Sequence, residues 1–224
     1  YLVLIADPDE FELLLNDLSD ISVKRDTFYN LPCAGAVIAD KQIFILCTYM
    51  GKVNSAAACA LALANCRYDG VFSIGYSGAV AGLRKYDIVA GISCTECDFD
   101  LTPIGYKPGE KRKNENYIYE SDQKLLNAAK AGIRGLKTGK LGTGDFFLTD
   151  TVKRDYYKKI FDICAFDMES GAAACVCSTL NVPFLAVRKI SDDADEAASS
   201  SYRETLQNTD KAFSEILIPL VESI

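Results

Sequence analysis

Short apolar runs alternate with helical patterns along most of the chain. Runs of strand length occur at residues 2–6, 70–75, 87–92, 163–166 and 184–190, and a further strand within 140–149 runs into a loop. Helices are predicted at residues 7–18, 53–66, 121–132 and 171–180, and from 202 to the end. Strands that alternate with helices predict an α/β fold in which most neighbouring strands are parallel.

One stretch departs from this alternation. Residues 22–49 alternate between apolar and polar positions and contain turn sequences at Asn30-Leu31-Pro32 and Ala39-Asp40, which predicts an antiparallel meander. The central sheet is therefore expected to be mixed. The following segment 98–106 is irregular with exposed apolar residues, and 107–119 is predicted as a charged surface loop. No repeat or linker divides the chain, so residues 1–224 are expected to form a single domain.

Composition narrows the classes of function. The 224 residues are 49% hydrophobic, which allows a large core, and carry a net charge of −7 without a cluster of Lys or Arg. We therefore expect no nucleic-acid partner, and no apolar run is long enough for a membrane span. We expect a cytoplasmic protein. Tyr1 already lies in a predicted strand, so the natural start of the protein is expected upstream of it. The expectation of a cytoplasmic protein does not extend to a signal peptide removed from that upstream part.

Cysteine and histidine counts limit the chemistry further. The nine cysteines lie within apolar stretches, which is typical of small buried side chains in a reducing compartment. Cys94 and Cys97 form a lone C-x-x-C, and with no histidine in the chain we expect no metal site. Without histidine, Ser-His-Asp and Cys-His catalysis are excluded. Acid–base chemistry must rest on carboxylates, Lys, Tyr or Cys.

Acidic side chains follow two of the predicted strands. Asp167 and Glu169 stand where a strand ends and an alanine-rich helix begins, and Asp192 follows the strand 184–190. Ligands of open α/β sheets bind at such carboxyl ends, and free helix N–H groups there favour ionised acids. The alternative is structural: Asp167 caps the helix, Glu169 is a solvated first-turn acid, and the acids after residue 190 form a turn.

Two other stretches allow both a structural and a binding interpretation. Gly75-Tyr76-Ser77-Gly78 is predicted as a glycine-bearing turn after a strand, where the backbone can approach a ligand closely, but it lacks the lysine and the spacing of a phosphate loop. The paired aromatics Phe146 and Phe147 follow another glycine turn. They are either core residues or a platform on which a flat ring stacks.

Three motifs in order give the chain a family resemblance. They are Gly144-Asp145-Phe146-Phe147, Asp167-Met168-Glu169, and the run from Val187 to Asp195, Val-Arg-Lys-Ile-Ser-Asp-Asp-Ala-Asp. With them the chain resembles the 5′-methylthioadenosine/S-adenosylhomocysteine nucleosidases of the purine nucleoside phosphorylase/uridine phosphorylase superfamily over essentially its whole length. The resemblance implies a three-layer αβα sandwich with a mixed central sheet, a homodimer, and no metal or organic cofactor.

The resemblance also implies an activity, the hydrolysis of the N-glycosidic bond of 5′-methylthioadenosine, S-adenosylhomocysteine and 5′-deoxyadenosine. Asp192 matches the acid that protonates adenine N7, which requires a carboxyl with a raised pKa. Glu10 matches the acid that activates water. Glu169 matches the acid that binds the ribose 2′ and 3′ hydroxyls and stabilises the developing cation.

Further residues match the walls of the substrate pocket. Met168 is expected to pack on the sugar and Phe147 to stack on adenine, while the Leu148 backbone meets the polar edge of the base. An apolar pocket for the 5′ substituent is implied for Met50, Leu101, Ile104 and Tyr202, the last three near the site of the partner subunit. The remaining expected binding residues are Tyr76, Ser77, Gly78, Asp167 and Ser191.

The N-terminal run separates hydrolysis from phosphorolysis. Superfamily phosphorylases often carry Gly-Asp-Pro-x-Arg, whose arginine binds phosphate, whereas this chain has Ala6-Asp7-Pro8-Asp9-Glu10. A carboxylate repels phosphate and suits the activation of neutral water, so the nucleophile is expected to be water. Phosphorolytic purine nucleoside cleavage, a futalosine-type hydrolase and a non-catalytic nucleoside-binding protein are the alternatives.

Four positions depart from the family pattern. Tyr76 stands where Ser or Thr is usual beside the base, and Asp7 replaces an apolar residue near the 5′ side. Asp167 replaces a frequent Glu, and Cys97 stands where a histidine is common. None of them removes the three carboxylates assigned to catalysis.

Overall fold

The structure is a computed structural model that describes residues 1–113, 117–208 and 213–224. Its strands are β1 (Leu2–Ile5), β2 (Lys24–Phe28), β3 (Leu31–Ile38), β4 (Lys41–Cys47), β5 (Val71–Ala79), β6 (Ile88–Glu96), β7 (Ile118–Glu120), β8 (Lys137–Thr143), β9 (Ile163–Asp167) and β10 (Phe184–Asp192). Its helices are α1 (Pro8–Asp17), α2 (Lys52–Asn65), α3 (Gln123–Gly132), α4 (Thr151–Phe161), α5 (Ser170–Leu180), α6 (Ala198–Asn208) and α7 (Ser214–Glu222).

Five of the strands close on one another. β10 pairs with both β5 and β6, and β8 and β9 complete the circuit from β6 back to β5. We call these five strands the closed ring. The first half of β5 also pairs with β1, and from there the sheet continues through β4, β3 and β2 as an open wing.

The strand directions explain where a site can form. Four neighbouring strands run parallel to one another, in the order β4, β1, β5 and β10. β9 pairs with β5 in the antiparallel direction. The β9 contact is confined to the carboxyl end of β5, where Gly78 pairs with Phe166. Consequently the carboxyl ends of β5 and β9 lie side by side, and the residues that follow β1, β9 and β10 converge there.

Helices cover both faces of the sheet. α1, α3 and α7 pack on one face, where they bury the side chains of Val3 and Ile5, and α2 and α5 pack on the other, where they bury Leu2 and Leu4. This alternation along β1 is what a strand between two apolar layers requires. The α/β class with a mixed central sheet is confirmed.

Several element predictions need correction. β2, β3 and β4 form the antiparallel meander, as predicted. Gly75-Tyr76-Ser77-Gly78 is not a turn but the continuation of β5, because it pairs with β10 along its whole length. β10 likewise extends through Asp192, and residues 118–120 of the predicted charged loop form β7 against β6.

The remaining differences concern helices. The predicted C-terminal helix is two helices, α6 and α7, and Phe213 before α7, with φ of −127° and ψ of −16°, lies outside the helical region. α4 was not predicted, because its one fully buried residue is Tyr157 and its apolar stripe is weak. Among the described residues no helix is both long and apolar enough to cross a bilayer. All nine cysteines are free, and six of them are buried.

Candidate active site

A cavity of about 780 Å³, open to solvent, lies where the strand ends converge. Thirteen of the fifteen residues expected at the site line it: Glu10, Met50, Tyr76, Ser77, Gly78, Phe147, Leu148, Asp167, Met168, Glu169, Ser191, Asp192 and Tyr202. Leu101 and Ile104 do not line it; Ile104 is 70% exposed on the surface of the chain.

Asp192 is buried at the end of β10, beside Gly78 of β5. Its Oδ2 accepts from Ser191 Oγ at 2.6 Å and its Oδ1 from Ala194 N at 2.9 Å. Burial raises the pKa of Asp192, and the two hydrogen bonds oppose this rise. The charges of Asp193 and Asp195 add a smaller rise. A Cβ on Gly78 would stand 2.8 Å from Asp192 Oδ1, so only glycine leaves room for this carboxylate.

Glu10 lies in the first turn of α1 and is 6% exposed. Its Oε1 accepts from the hydroxyl of Tyr202 at 3.2 Å and from Tyr76 N at 3.4 Å. Burial raises the pKa of Glu10 to about 8, with smaller contributions from Asp7 and Glu169. A Cβ on Gly75 would stand 2.7 Å from Glu10 Oε2, so this glycine too makes space for a carboxylate.

Glu169 faces the cavity from the residue before α5. Its Oε1 accepts from Gly51 N at 2.9 Å, at the start of α2. Burial first, and the charge of Asp167 second, raise the pKa of Glu169 to about 7, while Gly51 N–H and Arg188 oppose the rise. Glu169 is therefore not the solvated first-turn acid of the structural alternative, because its carboxylate closes a contact between two helices.

Asp167 is held entirely by protein donors. Its Oδ1 accepts from Thr143 Oγ1 at 2.7 Å and from the backbone N–H groups of residues 169 and 170, and its Oδ2 accepts from Ser170 Oγ and, at 2.9 Å, from Arg188 Nε. The carboxylate thus caps the start of α5, as the structural alternative proposed, and lies at the cavity wall with both of its oxygens bound to protein donors.

Arg188 is a residue of the site that sequence reasoning left without a role. It is 2% exposed, and besides Asp167 it donates to Ser73 O, Ser73 Oγ and Ser170 Oγ, each at 2.8 Å. The signal in the sequence was a cation in the middle of the apolar strand 184–190, which must be paired once it is buried. Its charge lowers the pKa of Glu10 and Glu169, against the effect of burial.

The paired aromatics divide between the two interpretations. Phe146 packs in a core cluster with Phe166 and Tyr157. Phe147 is 43% exposed at the cavity and meets the ring of Tyr202 edge-on, with centroids 5.7 Å apart. Phe147 therefore offers a ring face to a flat ligand.

Tyr202 lies in the cavity of its own chain, which corrects the expectation that it faces the partner's site. α6 follows the carboxyl end of β10 and carries the Tyr202 ring over this same cavity. Its hydroxyl donates to Asp7 Oδ2 at 2.8 Å as well as to Glu10. Tyr76 is buried and packs against the rings of Tyr202 and Phe213, so its bulk is accommodated on the α7 side.

Comparisons with known proteins show the family of the chain. The family model described as the phosphorylase superfamily matches residues 1–222. The chain belongs to this superfamily, as the three motifs predicted. Among curated relatives, the 5′-methylthioadenosine/S-adenosylhomocysteine nucleosidase of Exiguobacterium sp. is 31% identical over 209 residues, 89% of this chain and 87% of that protein. The nucleosidase of the same name from Anoxybacillus flavithermus is 30% identical over 92% of this chain and 89% of its own.

Solved structures share the fold. The 5′-methylthioadenosine/S-adenosylhomocysteine nucleosidase from Neisseria meningitidis, in complex with methylthio-immucillin-A, is 29% identical with a TM-score of 0.90, covering 100% of this chain and 98% of that one. A futalosine hydrolase mutant of Helicobacter pylori has a TM-score of 0.91 at 22% identity, covering 100% and 98% of the two chains. At that identity the likeness concerns the fold alone.

Proposed function

We propose that this protein hydrolyses the N-glycosidic bond of 5′-methylthioadenosine and S-adenosylhomocysteine, and of 5′-deoxyadenosine, to release adenine and the 5′-substituted ribose. The observation that carries the proposal is the grouping of Glu10, Glu169 and Asp192 around one cavity, each with a raised pKa, beside the exposed ring of Phe147. The nucleosidase relatives at about 30% identity support the same reaction.

Asp192 is the proposed general acid. Adenine leaves poorly as an anion, so N7 must take a proton as the bond breaks, and an acid with a raised pKa can hold that proton in the complex. Burial and the neighbouring acids supply the rise in the pKa of Asp192. Ser191 Oγ and Ala194 N fix the direction in which the carboxyl points.

Glu10 is the proposed base for water. The ionised form of a carboxyl with a pKa of about 8 is basic enough to take a proton from water as it attacks C1′, so this step requires the molecules in which Glu10 has lost its own proton. Phosphate has no place to bind: among the described residues that line the cavity the one cation is Arg188, and its guanidinium is already bound to Asp167 and two serines. This supports water over phosphate as the nucleophile.

Glu169 is the proposed partner of the sugar. As an anion it accepts hydrogen bonds from the 2′ and 3′ hydroxyls and stabilises the positive charge that develops on the ribosyl group. The Gly51 N–H, which opposes the rise in its pKa, favours this anionic form. Met168 from the same junction and Phe147 opposite provide the apolar contacts to the sugar and the base.

We further propose a cytoplasmic homodimer that serves methionine salvage. Large apolar side chains are exposed at the cavity and on the segments after β4 and β6, with Met50 51%, Val53 78% and Ile104 70% exposed, which favours an interface. In a two-fold dimer this apolar patch of one subunit packs against the same patch of its partner. Leu101 and Ile104 of one subunit then reach the cavity of the other.

A futalosine-type nucleoside is the second candidate substrate. The observation in its favour is that Tyr202, expected in an apolar wall, directs its hydroxyl to Asp7, so this part of the cavity is polar. A hydrolase of bulkier polar nucleosides would show a higher kcat/KM for them than for 5′-methylthioadenosine.

The test is incubation with 5′-methylthioadenosine, with and without phosphate, and identification of the sugar product. We expect adenine and free methylthioribose at rates indifferent to phosphate. A phosphorylated sugar formed only with phosphate would overturn the assignment of Glu10. Asp192→Asn should abolish adenine release with an unchanged circular dichroism spectrum, whereas the matched variant Asp193→Asn, at the exposed neighbour, should retain most of the activity, because its charge raises the pKa of Asp192 less than burial does.

A further inference from the structure

Of three neighbouring loops, the two after β4 and β8 line the cavity, and each of the three carries a residue that the family resemblance implied for a substrate pocket. Residues 48–51 after β4 carry Met50, residues 97–101 after β6 carry Leu101, and residues 144–150 after β8 carry Phe147. Loops have no ladder of backbone hydrogen bonds of their own, so their relative positions depend on contacts between them.

Lys52, Asp98 and Asp145 join these loops in a closed set of contacts. Lys52 Nζ donates to Asp98 Oδ1 at 2.7 Å, Asp145 N donates to Asp98 Oδ2 at 2.9 Å, and Lys52 N donates to Asp145 Oδ1 at 2.7 Å. We call this set the loop clamp. Glu96 at the end of β6 adds a second carboxylate 3.3 Å from Lys52 Nζ.

The first loop needs such a clamp because its backbone is unfavourable. Gly51 has φ of 96°, which glycine adopts readily, but Tyr49 has φ of 61°, in the left-handed region that strains a residue with a Cβ. Conformations of this kind persist only where the surrounding structure holds them. Gly51 has no side chain with which to cap α2, and the cap comes instead from Asp145 in the loop after β8.

The clamp is one residue away from the proposed sugar-binding acid. Gly51 N donates to Glu169 and the next amide, Lys52 N, donates to Asp145. Two consecutive N–H groups at the start of α2 are thus held by two carboxylates from different loops. The two N–H groups belong to neighbouring peptide planes that meet at the Cα of Gly51, so holding the second restrains the first through the φ and ψ of that one residue.

We propose that Asp145 is a positioning residue that sets Glu169 and Phe147 relative to each other through the N-terminus of α2. The proposal rests on the proposed nucleoside hydrolysis. Asp145 itself need not touch the substrate: its side chain holds the start of α2, to which Glu169 is bonded, and its backbone belongs to the loop that presents Phe147.

The kinetic test compares Asp145→Ala with two other variants. Asp122→Ala is the matched control, because Asp122 caps α3 with the same kind of contacts, to Lys124 N and Leu125 N, away from the cavity. For Asp145→Ala we expect kcat/KM for 5′-methylthioadenosine to fall about tenfold to hundredfold, mainly through KM, as for a misplaced binding group. Asp145→Asn, whose amide oxygen can still accept from Lys52 N, should stay within about fivefold of the parent.

These measurements can support or refute the positioning role of Asp145. If Asp145→Ala has the same kcat/KM as Asp122→Ala, or if Asp145→Asn is as impaired as the alanine variant, the positioning role is refuted. Amide hydrogen exchange gives a readout that does not depend on turnover: exchange at Gly51 and Lys52 should accelerate in Asp145→Ala alone. Should the parent release no adenine, the proposed function fails, and unchanged exchange at these amides would separately overturn the clamp.

Discussion

Replacement of Gly78 by alanine tests whether the position of Asp192 decides the activity. Gly78 lies inside β5 and pairs with Asp192 of β10 and Phe166 of β9. It has ordinary strand geometry, so alanine causes no backbone strain there. The only obstacle to a methyl group is the carboxylate of Asp192 and the Cβ of Ala194.

The size of the effect follows from the distances. The added Cβ would stand 2.8 Å from Asp192 Oδ1 and 3.0 Å from Ala194 Cβ, whereas ordinary contact begins at 3.4 Å. Asp192 must therefore retreat by about half an ångström, while Ala194 N holds the same oxygen at 2.9 Å. Displacing a proton donor by a large part of an ångström costs about tenfold to hundredfold in kcat/KM, about 1.4–2.7 kcal/mol of transition-state stabilisation.

The assay is release of adenine from 5′-methylthioadenosine by the parent, Gly78→Ala and the matched control Gly35→Ala. Gly35 is also inside a strand, β3, but a Cβ there meets nothing within 4 Å. We expect only Gly78→Ala to lose activity, and we expect almost no further loss when it is added to Asp192→Asn. Full activity in Gly78→Ala, or an equal loss in Gly35→Ala, would refute the reasoning.

Three other predictions follow from the buried charges. Arg188→Met leaves Asp167 buried without its cation, so the free energy of unfolding should fall by about 3–5 kcal/mol in urea titrations; a loss under about 1 kcal/mol would contradict the pairing. Tyr202→Phe removes the hydroxyl donor of Glu10 and should lower kcat by about fivefold to tenfold at unchanged melting temperature; an unchanged kcat would count against it. The pKa of Glu10 is raised from 4.5 to about 8, so between these pH values the folded chain retains a proton that the unfolded chain has lost. The free energy of unfolding should therefore fall as pH rises across this range, and Glu10→Gln should flatten the decline. If the parent and Glu10→Gln lose stability with pH at the same rate, the burial of Glu10 is contradicted.

Much of the fold could be predicted from local pattern. The meander of β2, β3 and β4 was visible because its alternation and turn residues are local signals. The end of β5 was misassigned for the opposite reason. Gly75 and Gly78 are unfavourable inside a strand, and the sequence does not reveal that Glu10 and Asp192, from distant elements, occupy the space that side chains would fill.

The same limit applies to the site. The three carboxylates were found from motifs, since each stands at a strand or helix end. Arg188 received no role because its partners come from two distant places in the chain, Ser73 in β5 and the junction that holds Asp167 and Ser170. Tyr202 was assigned to the partner's site because the sequence gives no angle between β10 and α6. Directions of this kind arise only when the elements pack.

The closed ring divides the molecule into a part that resists change and a part that accepts it. Each strand of the closed ring is hydrogen-bonded on both sides, so a displacement of one strand also displaces its two neighbours. Such a displacement alters the distance between Asp167 at the end of β9 and Asp192 at the end of β10. The open wing ends at β2, whose residues are almost all exposed. Insertions, tags and surface redesign therefore belong at β2 and its turns, whereas libraries aimed at new substrates should leave the ring strands intact and vary the loops that follow them.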